Sequence, residues 1–530
     1  MMKRIVAIVF SLVMILSLSA CGAGDSSEVS SGGTDSASSG EAVSSTDAKP
    51  GEPVSVAKSE YSNPVAGFGE SDDLTYGGDP SALVVDDTLY LYVGHDTASG
   101  ESYVMPEYLC YSTKDMKEWK YEGVMLKMTD VSWGDNNSAW AGQVARHYDK
   151  ASGKDKYYMY FCSWDNTASG KQSIGVAVAD SPTGPFVDIG QSLVKGTFTT
   201  EESSGWNDID PTVWIEEDEN GEEHRYLAWG NSKYYICELN EDMVSVKDHD
   251  GDGQITFKND VRIKPNPDSY TEAPWIYRRK DENGKAYGDY YLFYAYGWRE
   301  QMAYATTDDL MEGRYSFQDV IMKATATSNT NHMAVVDFLG KTWFIYHNGS
   351  LPHGSGFRRV ACVEEVKFYD DGSLGYINET AAGPFGTVST ITAGNGEKLA
   401  HAQFNNSLSD DKYPYVDIAL GSGLDKISEL DEQWVLISGK EDPKNENLVS
   451  IESNNKPGLF VTVTDSGVVL AQDNDGKKAQ AQTFKTVSGL SGKGVSFEAS
   501  GKEGMYLTLS GGSLTLTDGS DAEASSFEIA

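Results

Sequence analysis

A chain of 530 residues is too long for one ordinary hydrophobic core, so two or more domains are expected. Its formal charge of −38, from 42 Lys and Arg against 80 Asp and Glu, leaves no basic footprint and excludes nucleic acids and anionic lipid surfaces as charge-attracted partners. An uncharged polymer meets no such repulsion; tyrosine, tryptophan and glycine are all plentiful, and the Tyr-rich alternating runs favour β structure.

The chain opens "MMKRIVAIVFSLVMILSLSACGAG". Lys3 and Arg4 precede an apolar run that closes on small residues, the pattern of an export signal rather than a stable membrane span. The tetrad "LSAC" resembles a bacterial lipobox, in which the cysteine becomes the lipidated first residue. Residues 1–20 are therefore read as a lipoprotein signal peptide and Cys21 as the anchor, with the rest extracellular on the bacterial membrane; ordinary secretion is the alternative. Residues 21–57 are rich in Ser, Gly and acids, a composition that buries no core and reads as a disordered tether. Cys110, Cys162, Cys237 and Cys362 each sit in a strand-like run and are read as buried free thiols rather than disulfides.

Five aromatic-rich alternating runs follow: "DTLYLYVGHD", "KYYMYFCSWD", "HRYLAWGN", "DYYLFYAYG" and "KTWFIYHNG". Counted at Tyr90, Tyr157, Tyr226, Tyr290 and Trp343, they recur at intervals of 67, 69, 64 and 53 residues. Such a period, with several strands and many turns per unit, predicts a five-bladed β-propeller of four-stranded blades over 58–390. A short segment before each aromatic run is the expected innermost strand, carrying in turn Asp79, the pair Trp140 and Gln143, Asp210, Glu272, and the pair Asn331 and His332. Innermost strands converge on the axis, so these residues are expected to meet. Asp79 and Asp210 directly precede prolines, and Glu272 precedes Ala273-Pro274. Proline is expected to hold the residue before it extended and so fix the direction of each carboxylate.

The motifs "GGDPSALVVDDTLYLYVGHD", "SAWAGQV", "DIDPTVWI", "YTEAPWIY", "TNHMAVVDF" and "GSGFRRVACVEEVKFYDDGSL" together resemble glycoside hydrolase family 43, above all its arabinoxylan arabinofuranohydrolases and xylosidases. The resemblance spans residues 70–385. It implies an inverting hydrolase with Asp79 as general base, Glu272 as general acid, and Asp210 tuning and orienting the acid. Chemistry asks for the same parts: an inverting pair must leave space for water, and the acid must keep its proton near neutral pH. The resemblance further implies Arg358 of "GFRR" as a substrate contact, in preference to the adjacent Arg359, and His332 as an axial residue beside a calcium ion held through water. Trp140 is expected to stack on a sugar, with Gln143 beside it. Asn231 and Asn348, which end aromatic runs, are read as substrate contacts or as hydrogen-bonding turn residues. Ala273 stands where the family often has glycine, and "NHMA" where "NHPG" is frequent. No cofactor is expected, with structural Ca2+ as the one candidate ion. "DHDGDGQI" offers Asp248, Asp250 and Asp252 in the order of an EF-hand loop, without its glutamate; a solvated acidic turn is the other reading.

From 395 to 530 the texture changes to short Gly/Ser/Asp-rich strands. Val449 realigns on Val495 and Phe460 on Tyr506, both 46 residues on, and Phe484 realigns on Phe527 in a slightly shorter lobe. Trp434 ends a third, degenerate copy. Three lobes predict a β-trefoil, which resembles the arabinose-binding modules appended to arabinofuranosidases; a purely structural lobe is the alternative. The expected activity is removal of α-L-arabinofuranosyl groups from plant cell-wall arabinoxylan or arabinan, with β-xylosidase and endo-arabinanase as alternatives. A non-catalytic glycan-binding lipoprotein is the alternative of another class.

Overall fold

The computed structural model describes residues 48–71, 73–167, 170–199, 205–256, 259–401, 417–424 and 428–530. The expected signal peptide, Cys21 and the tether up to residue 47 lie outside them.

Five sheets form the blades of a propeller. Blade 1 holds β1 (Gly77–Val85), β2 (Thr88–His95), β3 (Glu107–Thr113) and β4 (Lys120–Lys127). Blade 2 holds β5 (Gly142–Asp149), β6 (Lys154–Trp164), β7 (Gln172–Ala179) and β8 (Val187–Asp188). Blade 3 holds β9 (Thr212–Glu217), β10 (Glu223–Trp229), β11 (Tyr234–Glu238) and β12 (Val261–Lys264). Blade 4 holds β13 (Tyr270–Lys280), β14 (Ala286–Tyr296), β15 (Gln301–Thr307) and β16 (Ser316–Met322). Blade 5 has β17 (Ala334–Phe338), β18 (Lys341–Asn348) and β19 (Val360–Val366). Each sheet is an antiparallel meander in chain order, and every aromatic run is the second strand of its blade. Those strands are sandwiched between neighbouring blades, so both faces are buried and the run "YYLFYA" is apolar throughout.

Ring closure is made by the segment before β1. The backbone N–H of Val65 donates to Ala361 O at 3.0 Å and that of Asn63 to Ala381 O at 2.8 Å. The Asn63 side chain accepts from Val363 N at 2.9 Å and donates to Val363 O at 3.1 Å and Thr380 O at 2.9 Å. Residues 63–65 thus run beside β19, supplying the fourth position that blade 5 lacks. Cys110, Cys162, Cys237 and Cys362 are free and buried in the second, third or last strands of their blades.

The C-terminal domain is a curled β structure with a three-fold internal pattern. Val449 pairs with Phe484 as Val495 pairs with Phe527, and Glu452 pairs with Phe460 as Glu498 pairs with Tyr506. Trp434, Phe484 and Phe527 meet in one core. Its first strand, Ile391–Ala393, pairs with Phe527–Ile529, so the domain begins a few residues before 395. Residues 51–54, assigned to the tether by composition, hydrogen-bond along 486–488 instead; the backbone N–H of Val54 donates to Thr486 O at 3.0 Å. The tether's described end is therefore part of this domain.

The trefoil-like domain grips the propeller. The buried Gln472 amide donates to Gly349 O at 2.9 Å and Gly354 O at 3.1 Å, and His353 N donates to Asp473 O at 2.8 Å.

Replacing Asn63 with Ala strands a buried N–H and two carbonyls at the ring closure, and is expected to cost about 2–4 kcal/mol in denaturant unfolding.

Candidate active site

Each inner strand starts near the axis, and its antiparallel partner ends there: Gly77 faces His95, and Tyr270 faces Tyr296. Inner-strand starts and second-strand ends therefore build one site together. A cavity of about 290 Å3 is lined by Asp79, Asp210 and Glu272, with Asn231, Glu300 and Arg359 as further polar groups. Aromatic walls come from Tyr103, Trp140, Trp206, Trp298 and Phe357.

The prolines act differently from the sequence expectation. Asp79, Asp210 and Ala273, each directly before a proline, have φ of 54°, 58° and 57°, in the left-handed region rather than the extended one. The strand register slips between Gly78 and Ser81, and again between Glu272 and Trp275. These are local kinks that re-aim a side chain at the mouth of a strand. The third copy places the kink on Ala273, one residue after the acid, which also explains why a glycine suits that position.

Asp79 is held by charge. Its Oδ1 accepts from Arg359 Nη1 at 2.6 Å, while its backbone N–H donates to His347 Nδ1 at 3.1 Å. His347 Nε2 donates to Thr330 O at 3.0 Å, fixing the neutral tautomer, and burial holds its pKa at about 3. Burial alone would raise the Asp79 carboxyl, but the Arg359 guanidinium brings it below the ordinary aspartate range. Arg359 is anchored from behind by Asp96, through Nε at 2.9 Å and Nη2 at 3.1 Å, and lies over the Tyr103 ring at 5.0 Å. A Cβ on Gly78 would sit 2.2 Å from the guanidinium carbon, so only glycine admits this arrangement.

Among the described residues, the other acids have no arginine or lysine bonded to them. Glu272 Oε2 accepts from Asn231 Nδ2 at 2.5 Å. Burial, then the Asp79 charge, raise its carboxyl above the ordinary glutamate range against that hydrogen bond. Asp210 Oδ2 accepts from the Ala273 backbone N–H at 3.0 Å, which ties it to the chain immediately after Glu272. Burial, then Glu272 and Asp79, push Asp210 well up.

Several expected contacts lie elsewhere. Arg359, not Arg358, enters the cavity; Arg358 turns outward and donates to His353 O and Ala98 O. Gln143 is not in the lining; it exchanges hydrogen bonds with Val213 at 2.8 and 3.2 Å and joins blade 2 to blade 3. Asn348 is fully buried, donating to Glu379 Oε1 at 2.9 Å, so it is a structural turn residue. Trp140 and Asn231 do line the cavity, Trp140 stacked on Trp206 at 5.1 Å. Arg359 was the alternative set aside for Arg358, while Asp96, Glu300, Tyr103, Trp206, Trp298 and Phe357 were not anticipated. The strand-end rule above would have flagged Asp96, which ends "GHD", and Glu300, which ends "GWRE".

His332 is buried with Nδ1 4.0 Å from Asp210 Oδ2, and burial lowers its pKa to about 4. One nitrogen and one carboxyl 4.0 Å apart would leave most of the six to eight oxygen ligands calcium prefers to be supplied by water. Among the described residues, the acid and histidine groups close enough to share an ion are Asp218, Glu222 and His224, and Asp248, Asp250 and Asp260. Asp252 is not in the second group. Asp248 accepts from Gly251 N and Gly253 N, and Asp260 from His249 N and Thr256 N, the pattern of a self-satisfied turn between β11 and β12 rather than an EF-hand.

Arg359→Met leaves Asp96 and Asp79 without their cation, and is expected to cost about 3–5 kcal/mol in unfolding and to move the acid limb of activity to higher pH. Arg358→Ala should cost about 1 kcal/mol or less and leave that limb in place.

Residues 75–374 match the model of glycosyl hydrolases family 43, and residues 405–528 match the alpha-L-arabinofuranosidase B domain. A xylosidase/arabinosidase of Bacteroides ovatus is 30% identical over 339 residues, covering 56% of this chain and 94% of that one. An arabinoxylan arabinofuranohydrolase of Paenibacillus polymyxa is 24% identical over 368 residues, covering 62% of this chain and 54% of that one. The crystal structure of a GH43 beta-xylosidase/alpha-arabinofuranosidase from a compost microbial metagenome, in complex with xylotriose and calcium-free, aligns at 26% identity and a TM-score of 0.48, covering 61% of this chain and 98% of that one. With the family model spanning more than half of its length, the chain belongs to glycosyl hydrolases family 43 and is a glycoside hydrolase.

Proposed function

We propose that this enzyme removes α-L-arabinofuranosyl groups from arabinoxylan or arabinan with inversion of configuration. The observation that carries the reading is the unequal treatment of carboxyls lining one cavity: Arg359 is spent on Asp79, while Glu272 has only a neutral amide partner. In this scheme Asp79, ionised, takes a proton from the attacking water. Glu272, protonated, gives its proton to the departing glycosidic oxygen, and the water oxygen bonds to the anomeric carbon from the opposite face. Asp210 positions the acid through the Ala273 amide. Trp140 and Trp206 form a stacking wall, and Arg359 and Asn231 are polar groups that face the sugar. The residues present perform each step themselves, so no cofactor is required, and no step uses an axial ion.

The C-terminal match and the Paenibacillus relative favour arabinofuranosyl groups. The Bacteroides relative, named for both activities, makes β-xylosidase the second reading. A cavity at the small end of ligand pockets suits a terminal sugar better than a chain interior, which ranks endo-arabinanase below both. We further propose that the opening "LSAC" directs lipid attachment at Cys21, placing the enzyme outside the cell on its membrane. Cys21→Ser should then release it into the medium.

On a panel of aryl pentosides, release is expected from α-L-arabinofuranosides, with the first sugar formed of inverted configuration by proton NMR. Glu272→Ala should lower kcat/KM by roughly 100- to 10,000-fold on poor leaving groups while arabinoxylan binding persists. Release of retained sugar, or no release from any pentoside, would overturn the reading.

A further inference from the structure

Glu300 lies between β14 and β15 and is 2% exposed. Among the described residues it is the fourth carboxyl lining the cavity, and no step of the proposed reaction uses it. One of its oxygens, Oε2, accepts from the Asn331 backbone N–H at 2.7 Å, on the chain leading into β17. Its carboxyl lies beside that of Glu272 in the cavity lining, close enough for the two to share a hydrogen bond. The neighbouring Arg299 is directed elsewhere, its Nη2 donating to Thr325 O at 2.7 Å and Ser328 O at 2.6 Å. Two carboxyls joined by a hydrogen bond must hold at least one proton between them.

We propose that Glu300 is a positioning residue that stays protonated and donates a hydrogen bond to Glu272, orienting the acid and stabilising the carboxylate left when Glu272 gives up its proton. The inference rests on the assignment of Glu272 as the acid. The charged and titratable groups around the pair agree. Glu300 faces Glu272 and Asp210, both acids, while Glu272 faces Asp79, Arg359 and Asn231. The one guanidinium among them is bonded to Asp79 and Asp96. Burial, then Glu272, raise the Glu300 carboxyl well above the ordinary range. The proton count closes: Glu272 loses one proton to the leaving oxygen, Asp79 gains one from water, and Glu300 keeps its own throughout. Its hydrogen bond therefore strengthens as negative charge develops on Glu272, which makes it a transition-state interaction.

Glutamine reproduces a protonated glutamate here: its carbonyl can accept from Asn331 N while its NH2 donates to Glu272. Glu300→Ala removes the donor. The carboxylate of Glu272 then loses support, so its pKa and the basic limb of kcat/KM move up. The kcat for a poor aryl or alkyl leaving group should fall about 10- to 100-fold. A dinitrophenyl arabinoside, which needs no proton, should be nearly unaffected. Glu300→Gln should restore the limb and most of the rate. A basic limb that falls in Glu300→Gln would mean that Glu300 is an anion, and would overturn the proposal. So would equal losses on good and poor leaving groups, or an alanine variant indistinguishable from wild type. If Glu300→Ala does not fold, the position of the limb in Glu300→Gln decides alone. Full activity of Glu272→Ala on poor leaving groups would instead refute the assignment of the acid, whatever Glu300 does.

Discussion

The ion array Asp96–Arg359–Asp79 is the constraint on which the rest of the site depends. Among the described residues, four carboxyls, from Asp79, Asp210, Glu272 and Glu300, share the lining of one cavity, and Arg359 is its only arginine or lysine. Buried like charges cannot all ionise, so one of the four takes the anion and its neighbours hold protons. Arg359 decides which. Asp96 fixes one edge of the guanidinium through Nε and Nη2, leaving Nη1 to point at Asp79, and Gly78 keeps the backbone of β1 out of its way. A base and an acid made of the same functional group are thereby poised differently.

The propeller supplies the convergence. Inner-strand starts from blades 1, 3 and 4 bring carboxyls 131 and 62 residues apart in sequence to one axis; the chain after the second strands adds Asn231 and Glu300 to the lining and Asp96 behind Arg359. The local device is repeated: a left-handed residue ahead of proline at Asp79, Asp210 and Ala273, each at the mouth of a strand. Residues rarely hold that conformation unless the surroundings dictate it, and here the blades on either side do so. The trefoil-like domain contributes from outside. Through Gln472 and Asp473 it holds the turn at 349–354, a few residues before Phe357 and Arg359 enter the cavity.

Much of this was legible in the sequence because it is periodic. Aromatic runs on a near-constant spacing gave the blades, and acid-proline punctuation on the same spacing gave three carboxyls. The lobe alignment foretold the pairings Val449–Phe484 and Val495–Phe527. What escaped was parity and local packing. Arg358 and Arg359 precede β19 by a tight turn at 355–358, so alternation along the strand could not say which one faces inward. Asn231 and Asn348 occupy like positions, yet Glu379, from the segment after blade 5, claims Asn348 while Asn231 stays open to Glu272. Gln143 sits at the axis but is consumed in joining blades. Glu300 carries no proline mark and is found only by asking where a second strand ends.

The central claim is a distribution of protons, and infrared difference spectroscopy on single carboxyl variants reads it directly. At about pH 6, above the ordinary carboxyl range, subtracting Asp79→Asn from wild type should reveal a carboxylate band, while subtracting Glu272→Gln should reveal the carbonyl band of a protonated acid. A protonated Asp79 or an ionised Glu272 under those conditions would contradict the account.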